Sequence, residues 1–308
     1  MELPVGLRPV DLEWIFIKTS NLLSKAHPKL WREKSVLGIG IGSTLGVELL
    51  IKLAGAKKVV GNDWLDTVSK DQNIYDALKE SALKRLPDFV EKSRGGPASL
   101  EEISELFDNP FISKKVEYQP NVDMTKTLYK SGEFDIVYSH ATIEHFRSPV
   151  ACILEMARVC KPGGFQVHCI DFGDHRLGVS NRNIDHLKCN EDEWMKLQDT
   201  VNNSTYVNRM RFSEVLEIMT NEGLSVVFVN QQRCKIANNF TRIDLSPDFR
   251  GISEDDLTTI GCEMVSVKNK PLPDNYLYKQ IKSFKRGGDV RKARFIEQEI
   301  ELRNIPKK

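Results

Sequence analysis

The sequence of 308 residues lacks both a long apolar segment and paired cysteines. No run of about 18 apolar residues occurs, so a membrane-spanning helix is not expected. The amino terminus has no basic region followed by an apolar run, and we therefore expect no signal peptide. The six cysteines form no Cys-x-x-Cys pair and no zinc-finger spacing, which favours reduced thiols over a disulfide framework. These absences predict a cytoplasmic protein.

An excess of one charge is also absent, because 44 basic and 43 acidic residues leave a formal net charge of +1. This balance gives no reason to expect a nucleic acid or a membrane as partner. The basic segment at residues 269–308 is interrupted by glutamates and has few aromatic residues, which is typical of a solvated helix. We predict that helix around residues 290–302.

Residues 35–63 have the pattern of a strand, a helix and a second strand, which is a right-handed βαβ unit. Further strands are predicted at residues 116–120, 134–139, 165–171, 224–229 and 264–267. Alternating strands and helices predict an α/β fold with a doubly wound, mostly parallel, seven-stranded sheet.

Three regions follow from this pattern. Residues 1–34 are predicted to form a helical cap, residues 35–268 the core, and residues 269–308 a basic helical tail. Within the core, the segments 65–113 and 172–210 are longer than simple crossovers need. We interpret them as helical insertions that form a lid.

Glycines at the turn after the first strand indicate a ligand site. Gly38, Gly40 and Gly42 let a ligand approach the backbone, and free N–H groups at the start of the next helix suit polar or anionic groups. Asp63 ends the second strand, where a carboxylate can accept hydrogen bonds from ribose hydroxyls. A tight turn without a ligand and a solvated aspartate would explain each feature alone. Together they predict a nucleotide-type cofactor.

The glycine spacing separates two cofactor classes in part. The dinucleotide fingerprint Gly-x-Gly-x-x-Gly requires a third glycine, but Leu45 or Ser43 occupies that position, depending on the register. Neither register fits the dinucleotide fingerprint.

Two segments further along the chain are more specific. The stretch FDIVYSHATIEH covers residues 134–145, and EMARVCKPGG covers residues 155–164. In sequence and order they resemble the strand, loop, helix and terminating Lys-Pro-Gly-Gly of class I S-adenosylmethionine-dependent methyltransferases, in the branch that acts on small molecules. The resemblance extends over residues 35–230.

The resemblance implies a Rossmann-like fold with S-adenosylmethionine as cofactor, and it assigns roles by position. The methionine part of the cofactor would contact Gly38, Gly40 and Gly42, and the ribose would contact Asp63. The adenine amino group would contact Asp123. The sulfonium would lie beside Ser139 and His140. Trp64 follows Asp63 and would flank the adenine.

The chain departs from the family pattern at two positions. The family usually has Asp or Glu where this chain has Gly38, so the methionine amine would lose an anionic partner and the backbone would substitute. Thr44 stands in the place of the third glycine.

Methyl transfer to an alcohol needs a general base, and candidates lie at the carboxyl ends of the strands. They are His140, His145, Asp171 and His175. A structural role for His145 and a solvated Asp171–His175 pair remain alternatives. The stretch containing Tyr206, Asn208 and Arg209 resembles an element that precedes the late helix of related enzymes and would contact substrate, with capping and packing as the alternative.

The sequence therefore predicts methyl transfer to a small molecule, on a hydroxyl of a sugar or a natural-product intermediate, with nitrogen or carbon as the alternative acceptor atom and with no metal ion. Two other functions remain: a nicotinamide-dependent oxidoreductase and a catalytically silent cofactor-binding partner. A homodimer is left open.

Overall fold

One seven-stranded sheet organises the computed structural model, which describes residues 8–27, 29–177, 183–200, 206–235 and 241–269. Along the sheet the described strands have the order β3-β2-β1-β4-β5-β7-β6. They are Ser35–Ile39 (β1), Lys58–Asn62 (β2), Glu117–Gln119 (β3), Phe134–His140 (β4), Cys160–Asp171 (β5), Leu224–Arg233 (β6) and Thr259–Lys268 (β7). Strands β1 to β5 are parallel to one another, whereas β7 is antiparallel to both β5 and β6. The predicted α/β fold with a mostly parallel seven-stranded sheet is confirmed.

Helices cover both faces of this sheet. In the described residues they are Pro9–Leu23 (α1), Gly46–Leu53 (α2), Gln72–Arg85 (α3), Pro87–Arg94 (α4), Leu100–Phe107 (α5), Pro110–Ser113 (α6), Pro149–Val159 (α7), Glu191–Thr200 (α8), Phe212–Asn221 (α9) and Glu254–Thr258 (α10). The segment 65–113, predicted as a helix with an inserted element, contains α3 to α6. A reciprocal capping box between Ser99 and Glu102 fixes the start of α5.

The two faces of the sheet form separate apolar cores because neighbouring side chains on a strand point in opposite directions. Val36 of β1, Ile136 of β4 and Val167 of β5 belong to one face, which is covered by α1, α2, α3 and α5. Helices α7 and α9 cover the opposite face. Helix α1 buries Leu12 and Phe16 in the first core, so the described part of residues 1–34 packs directly on the sheet.

The strands β5, β6 and β7 are longer than the sequence pattern predicts. Helix α7 ends at Val159 and β5 begins at Cys160, so Pro162 and the following glycines lie inside the strand instead of terminating the helix. The pairing of β4 with β5 shifts register in this region. A buried lysine, Lys268 at the end of β7, donates hydrogen bonds to the carbonyls of Ala157 and Cys160 and ties the strand to this corner.

All six cysteines are free thiols, as the spacing predicts. None of the helices in the described part of the chain combines the length and apolar character that crossing a bilayer requires. The predicted helix around residues 290–302 lies outside the described residues.

Candidate active site

The site is built where β1 to β5 end, because parallel strands place their carboxyl ends at one edge of the sheet. Three of these strands are followed by a residue with positive φ: Gly40 after β1 at +64°, Asn121 after β3 at +59° and Ala141 after β4 at +49°. Such conformations are uncommon outside glycine and concentrate at ligand sites. The chain therefore turns sharply at the edge where the cofactor was predicted.

The glycine turn after β1 leaves a bare stretch of backbone. Gly40 could not carry a side chain, because a Cβ there would lie 2.2 Å from Cγ2 of Thr142. Gly42 has φ of +74°, and nothing lies within 4 Å of the place where its Cβ would be. One glycine thus lets two loops approach each other, and the other faces open space that a ligand can enter.

Asp63 lies beside this turn, as the sequence predicts for a ribose-binding acid. Its carboxylate accepts hydrogen bonds from the backbone N–H of Gly42 at 2.9 Å and of Leu65 at 3.2 Å. Trp64, the next residue, has 66% of its surface exposed. Asp123 is also exposed, and its carboxylate accepts from the N–H and the hydroxyl of Thr125. The open turn, the acid and these exposed groups fit a nucleoside lying across the strand ends.

The two residues predicted to lie beside the sulfonium have different environments. Ser139 is buried, and its hydroxyl lies 2.8 Å from Nδ1 of His168, inside the sheet. His140 instead contacts Trp14 of α1 in an edge-on ring arrangement at 5.3 Å. Burial, together with the nearby Lys18 ammonium, lowers the pKa of His140 to about 4. His140 is therefore a neutral imidazole at physiological pH.

A second group of side chains comes from the turns after β4 and β5. His175 Nε2 lies 3.4 Å from Asp171 Oδ2, and the rings of His175 and His145 are 5.0 Å apart. Burial lowers the pKa of His175. Glu144 is 2% exposed, and its carboxylate accepts a hydrogen bond from the backbone N–H of Asp171 at 3.3 Å. The structure thus brings three of the four predicted base candidates together and adds Glu144.

Two of the three predicted substrate residues have structural contacts. The amide of Asn208 donates to the carbonyls of Ile143 and Phe146 and holds the turn after β4. Arg209 is 2% exposed and donates to the carbonyls of His186 and Cys189. These contacts match the capping and packing alternative for both residues.

The third predicted substrate residue, Tyr206, lies beside the group formed by His145, Asp171 and His175. Its carbonyl oxygen is 2.7 Å from Nδ1 of His145, and the Arg147 guanidinium lies 4.6 Å from the centre of its ring. Burial raises the pKa of Tyr206 to about 12, so its hydroxyl stays protonated.

The space beside Gly38 is filled from a neighbouring helix. A Cβ on Gly38 would lie 2.7 Å from Oε1 of Glu48 and 2.9 Å from the Tyr138 hydroxyl. Glu48, on α2, is 1% exposed and accepts a hydrogen bond from that hydroxyl. The expectation that only backbone replaces the missing acid at Gly38 is therefore incomplete, because a carboxyl group from α2 occupies the adjoining space.

Glu48, Glu144 and Trp14 were not identified as site residues from the sequence. For Glu144 a signal exists, since it forms the Glu-His pair of the segment 134–145. Glu48 and Trp14 lie in amphipathic helices, where nothing separates them from ordinary helix residues. Their positions become visible only when α1 and α2 are packed on the sheet.

Part of the chain is similar to a known protein family. Residues 103–168 match the profile of a family described as a methyltransferase domain. No curated protein matches the chain in sequence.

Two solved structures illustrate the structural similarity. Geranyl diphosphate C-methyltransferase from Streptomyces coelicolor A3(2), crystallised with Mg²⁺, geranyl diphosphate and S-adenosyl-L-homocysteine, is 12% identical, with a TM-score of 0.46 over 83% of this chain and 79% of that one. An S-adenosylmethionine-dependent methyltransferase from Mesorhizobium loti is 11% identical, with a TM-score of 0.45 over 83% of this chain and 97% of that one.

The chain therefore has a Rossmann-like α/β sheet, and its residues 103–168 are similar to a methyltransferase domain.

Proposed function

We propose that this enzyme methylates a hydroxyl group of a small molecule, a sugar or a natural-product intermediate, at the edge formed by β1, β2, β4 and β5. The observation that carries the proposal is the pairing at this edge of two features. One is the bare turn at Gly42 with the Asp63 carboxylate beside it, and the other is the Asp171–His175 pair. The first holds the cofactor, and the second handles the proton of the acceptor.

S-Adenosylmethionine supplies the methyl group on a sulfonium that leaves as a neutral thioether, so the protein mainly positions the acceptor. Asp63 holds the ribose hydroxyls, while Gly40 and Gly42 support the methionine arm. His140 is neutral because the pKa of its imidazole is about 4. It adds no positive charge beside the cationic cofactor, which a protonated histidine would repel.

The acceptor class follows from the groups that can take a proton. An alcohol must lose its proton as the carbon–oxygen bond forms, and a nearby base assists this step. Asp171 and His175 lie 3.4 Å apart, with side chains 8% and 13% exposed, and His145 lies beside them. The Asp171 carboxylate orients His175, which accepts the proton.

Replacing Asp63 by alanine is expected to weaken the binding of S-adenosylmethionine and of S-adenosylhomocysteine at least tenfold. The change removes the ribose acceptor and also the hydrogen bond to the Gly42 N–H that holds the turn. A tenfold loss corresponds to about 1.4 kcal/mol, the scale of one lost hydrogen bond to a charged group. Isothermal titration calorimetry with both ligands measures this affinity.

The matched control is Asp88→Ala, which removes an exposed aspartate from α4. It should leave both affinities unchanged. Equal affinity of wild type and Asp63→Ala would refute the ribose assignment. Binding of NADH to the wild type, without binding of either sulfur ligand, would instead support the oxidoreductase alternative.

The acceptor is identified by incubating the enzyme with S-[methyl-²H₃]adenosylmethionine and pools of sugars and hydroxylated natural products. Mass spectrometry then detects a product heavier by one labelled methyl group, and fragmentation shows whether oxygen, nitrogen or carbon carries it. Labelling of an amine alone would contradict the hydroxyl assignment. Cofactor binding without transfer to any pool would favour the catalytically silent alternative.

A further inference from the structure

Three side chains near the strand ends form a compact set of nitrogen and oxygen donors. Glu144, His145 and His175 each offer one ligand atom, and these atoms lie within 4.8 Å of one another. Glu144 and His145 belong to the short 3₁₀ turn Ile143–His145 after β4, and His175 begins the turn His175–Leu177 after β5. Since β4 and β5 are parallel neighbours, the two turns meet at the same edge.

The hydrogen bond of His145 prepares its other nitrogen to act as a ligand. Nδ1 lies 2.7 Å from the carbonyl oxygen of Tyr206, which can only accept, so Nδ1 carries the hydrogen. The lone pair of the imidazole is therefore on Nε2. Metal-binding histidines commonly have this arrangement, with one ring N–H donated to a backbone carbonyl and the other nitrogen on the metal.

His175 brings the second imidazole. Its Nε2 is buried and makes no hydrogen bond within the described part of the chain, although Asp171 Oδ2 lies 3.4 Å away. Burying a ring nitrogen without a hydrogen-bond partner destabilises the folded protein, unless a bound ligand or ion supplies the missing partner. Asp171 lies next to this nitrogen and adds a second carboxylate to the set.

We propose that Glu144, His145 and His175 bind one divalent transition-metal ion, with Asp171 beside it as a fourth donor. Two imidazoles with carboxylates suit Zn²⁺, Mn²⁺, Co²⁺ or Fe²⁺, whereas Mg²⁺ and Ca²⁺ favour sites made of oxygen alone. Ligand atoms around one such ion lie roughly 3 to 4 Å apart. Small side-chain rotations that move the ligand atoms by about 1 Å would therefore bring all three within bonding distance of one ion. This differs from the sequence prediction, which included no metal.

The place of the ion gives it a role that rests on the proposed function. It would lie beside the acceptor, where a Lewis acid holds an oxygen and makes its proton easier to remove. The acceptor oxygen then forms its bond to the methyl carbon. The carbon–sulfur bond breaks with its electrons going to sulfur. The hydroxyl proton passes to a water molecule, because His175 holds the ion in the metal-loaded enzyme and does not act as the base there. Acceptors with adjacent oxygens would gain most from such an ion.

Metal binding is tested directly on the full-length, tag-free protein after chelator treatment and dialysis. Titration with Co²⁺ is expected to give visible ligand-field absorption that saturates at one ion per chain, and Zn²⁺ should displace the Co²⁺. Calorimetry should give an affinity for Zn²⁺ at least 100-fold higher than for Mg²⁺. The variants His145→Ala and His175→Gln should each weaken Co²⁺ binding at least tenfold.

The control is His27→Gln, since His27 stacks on Phe165 in the middle of β5, six residues before Asp171. It should bind Co²⁺ like the wild type. No saturable Co²⁺ signal, or an equal signal in the double variant His145→Ala/His175→Gln, would overturn the metal site.

Binding of S-adenosylhomocysteine by each variant separates this proposal from the proposed function. Loss of the Co²⁺ signal with intact S-adenosylhomocysteine binding supports the metal site and excludes unfolding as its cause. If the wild type binds Co²⁺ but neither S-adenosylmethionine nor S-adenosylhomocysteine, the metal site stands and the cofactor assignment fails.

Discussion

Replacing Asp171 by asparagine or His175 by glutamine is expected to lower kcat about 100- to 10,000-fold while changing S-adenosylhomocysteine affinity less than about threefold. Asparagine keeps the size of Asp171 but loses its charge, and glutamine cannot accept a proton at neutral pH. Asp171 ends β5 and His175 follows it, whereas the proposed cofactor site uses the turn after β1 and the end of β2. Turnover should fall without loss of the cofactor site.

The measurement is single-turnover transfer of a labelled methyl group to the identified acceptor, with calorimetry for S-adenosylhomocysteine. His27→Gln is again the control, because His27 contacts Phe165, six residues before Asp171 and so about 20 Å along the strand. Wild-type turnover in both Asp171→Asn and His175→Gln would exclude the pair from proton transfer. A comparable loss in His145→Ala would indicate that the turns after β4 and β5 act as one unit.

The order of strands and helices was predictable because it depends on local sequence. Short apolar runs gave β1, β2 and β4 at nearly their observed bounds, with glycines at the end of the first run and an acid at the end of the second. The Pro-Gly-Gly at residues 162–164 was misleading. It is a common helix stop, but here the chain has already left the helix and paired with β4, so the strand pairing outweighs the local preference.

The glycine turn and Asp63 were also predictable, since each is fixed by its own strand end. Which polar residues face the cleft was not. Ser139 and His140 are neighbours in sequence, yet one hydrogen-bonds inside the sheet and the other contacts α1, because adjacent strand residues point to opposite faces. Arg209 is polar and arginine usually lies at the surface, but backbone carbonyls from distant loops surround it.

The cluster of Glu144, His145 and His175 shows a further limit. His145 and His175 are 30 positions apart, and no regular ligand spacing links them. They meet because β4 and β5 end side by side, followed by similar short turns. A sequence search for closely spaced ligands therefore predicts no metal, whereas the fold places the donors together.

Glu48 is expected to make the protein less stable as the pH rises, which is the opposite of the usual effect of a carboxyl group on stability. Burial is the main reason that the pKa of this carboxyl is raised from 4.5 to about 7. The native state then holds a proton that the unfolded state releases. Its stabilising contribution is complete below pH 4.5 and is lost as the pH rises through 7, by about 3 kcal/mol in total.

Urea unfolding between pH 5.5 and pH 8 measures this loss, of which about 2 kcal/mol should fall within that range. In Glu48→Gln the side chain stays neutral at every pH. The free energy of unfolding of this variant should therefore fall by about 2 kcal/mol less than that of the wild type between pH 5.5 and pH 8. Parallel curves for wild type and Glu48→Gln would mean that Glu48 is charged in the native state over the whole range. The carboxyl would then need a stronger hydrogen-bonding partner than Tyr138.

Exchanging the acid between helix and strand tests where the Glu48 carboxyl lies. Gly38→Asp alone should cost about 1 to 3 kcal/mol, because its Cβ would approach Oε1 of Glu48 to 2.7 Å and the Tyr138 hydroxyl to 2.9 Å. Glu48→Ala alone leaves that hydroxyl without its carboxyl partner. In the double variant the new aspartate fills the space that Glu48 leaves. The loss of stability in the double variant should therefore be smaller than the sum of the two single losses by at least about 1 kcal/mol. Strict additivity would show that the two side chains do not compete for one position. The acid that the sequence resemblance leads one to expect at Gly38 would then have no replacement on α2.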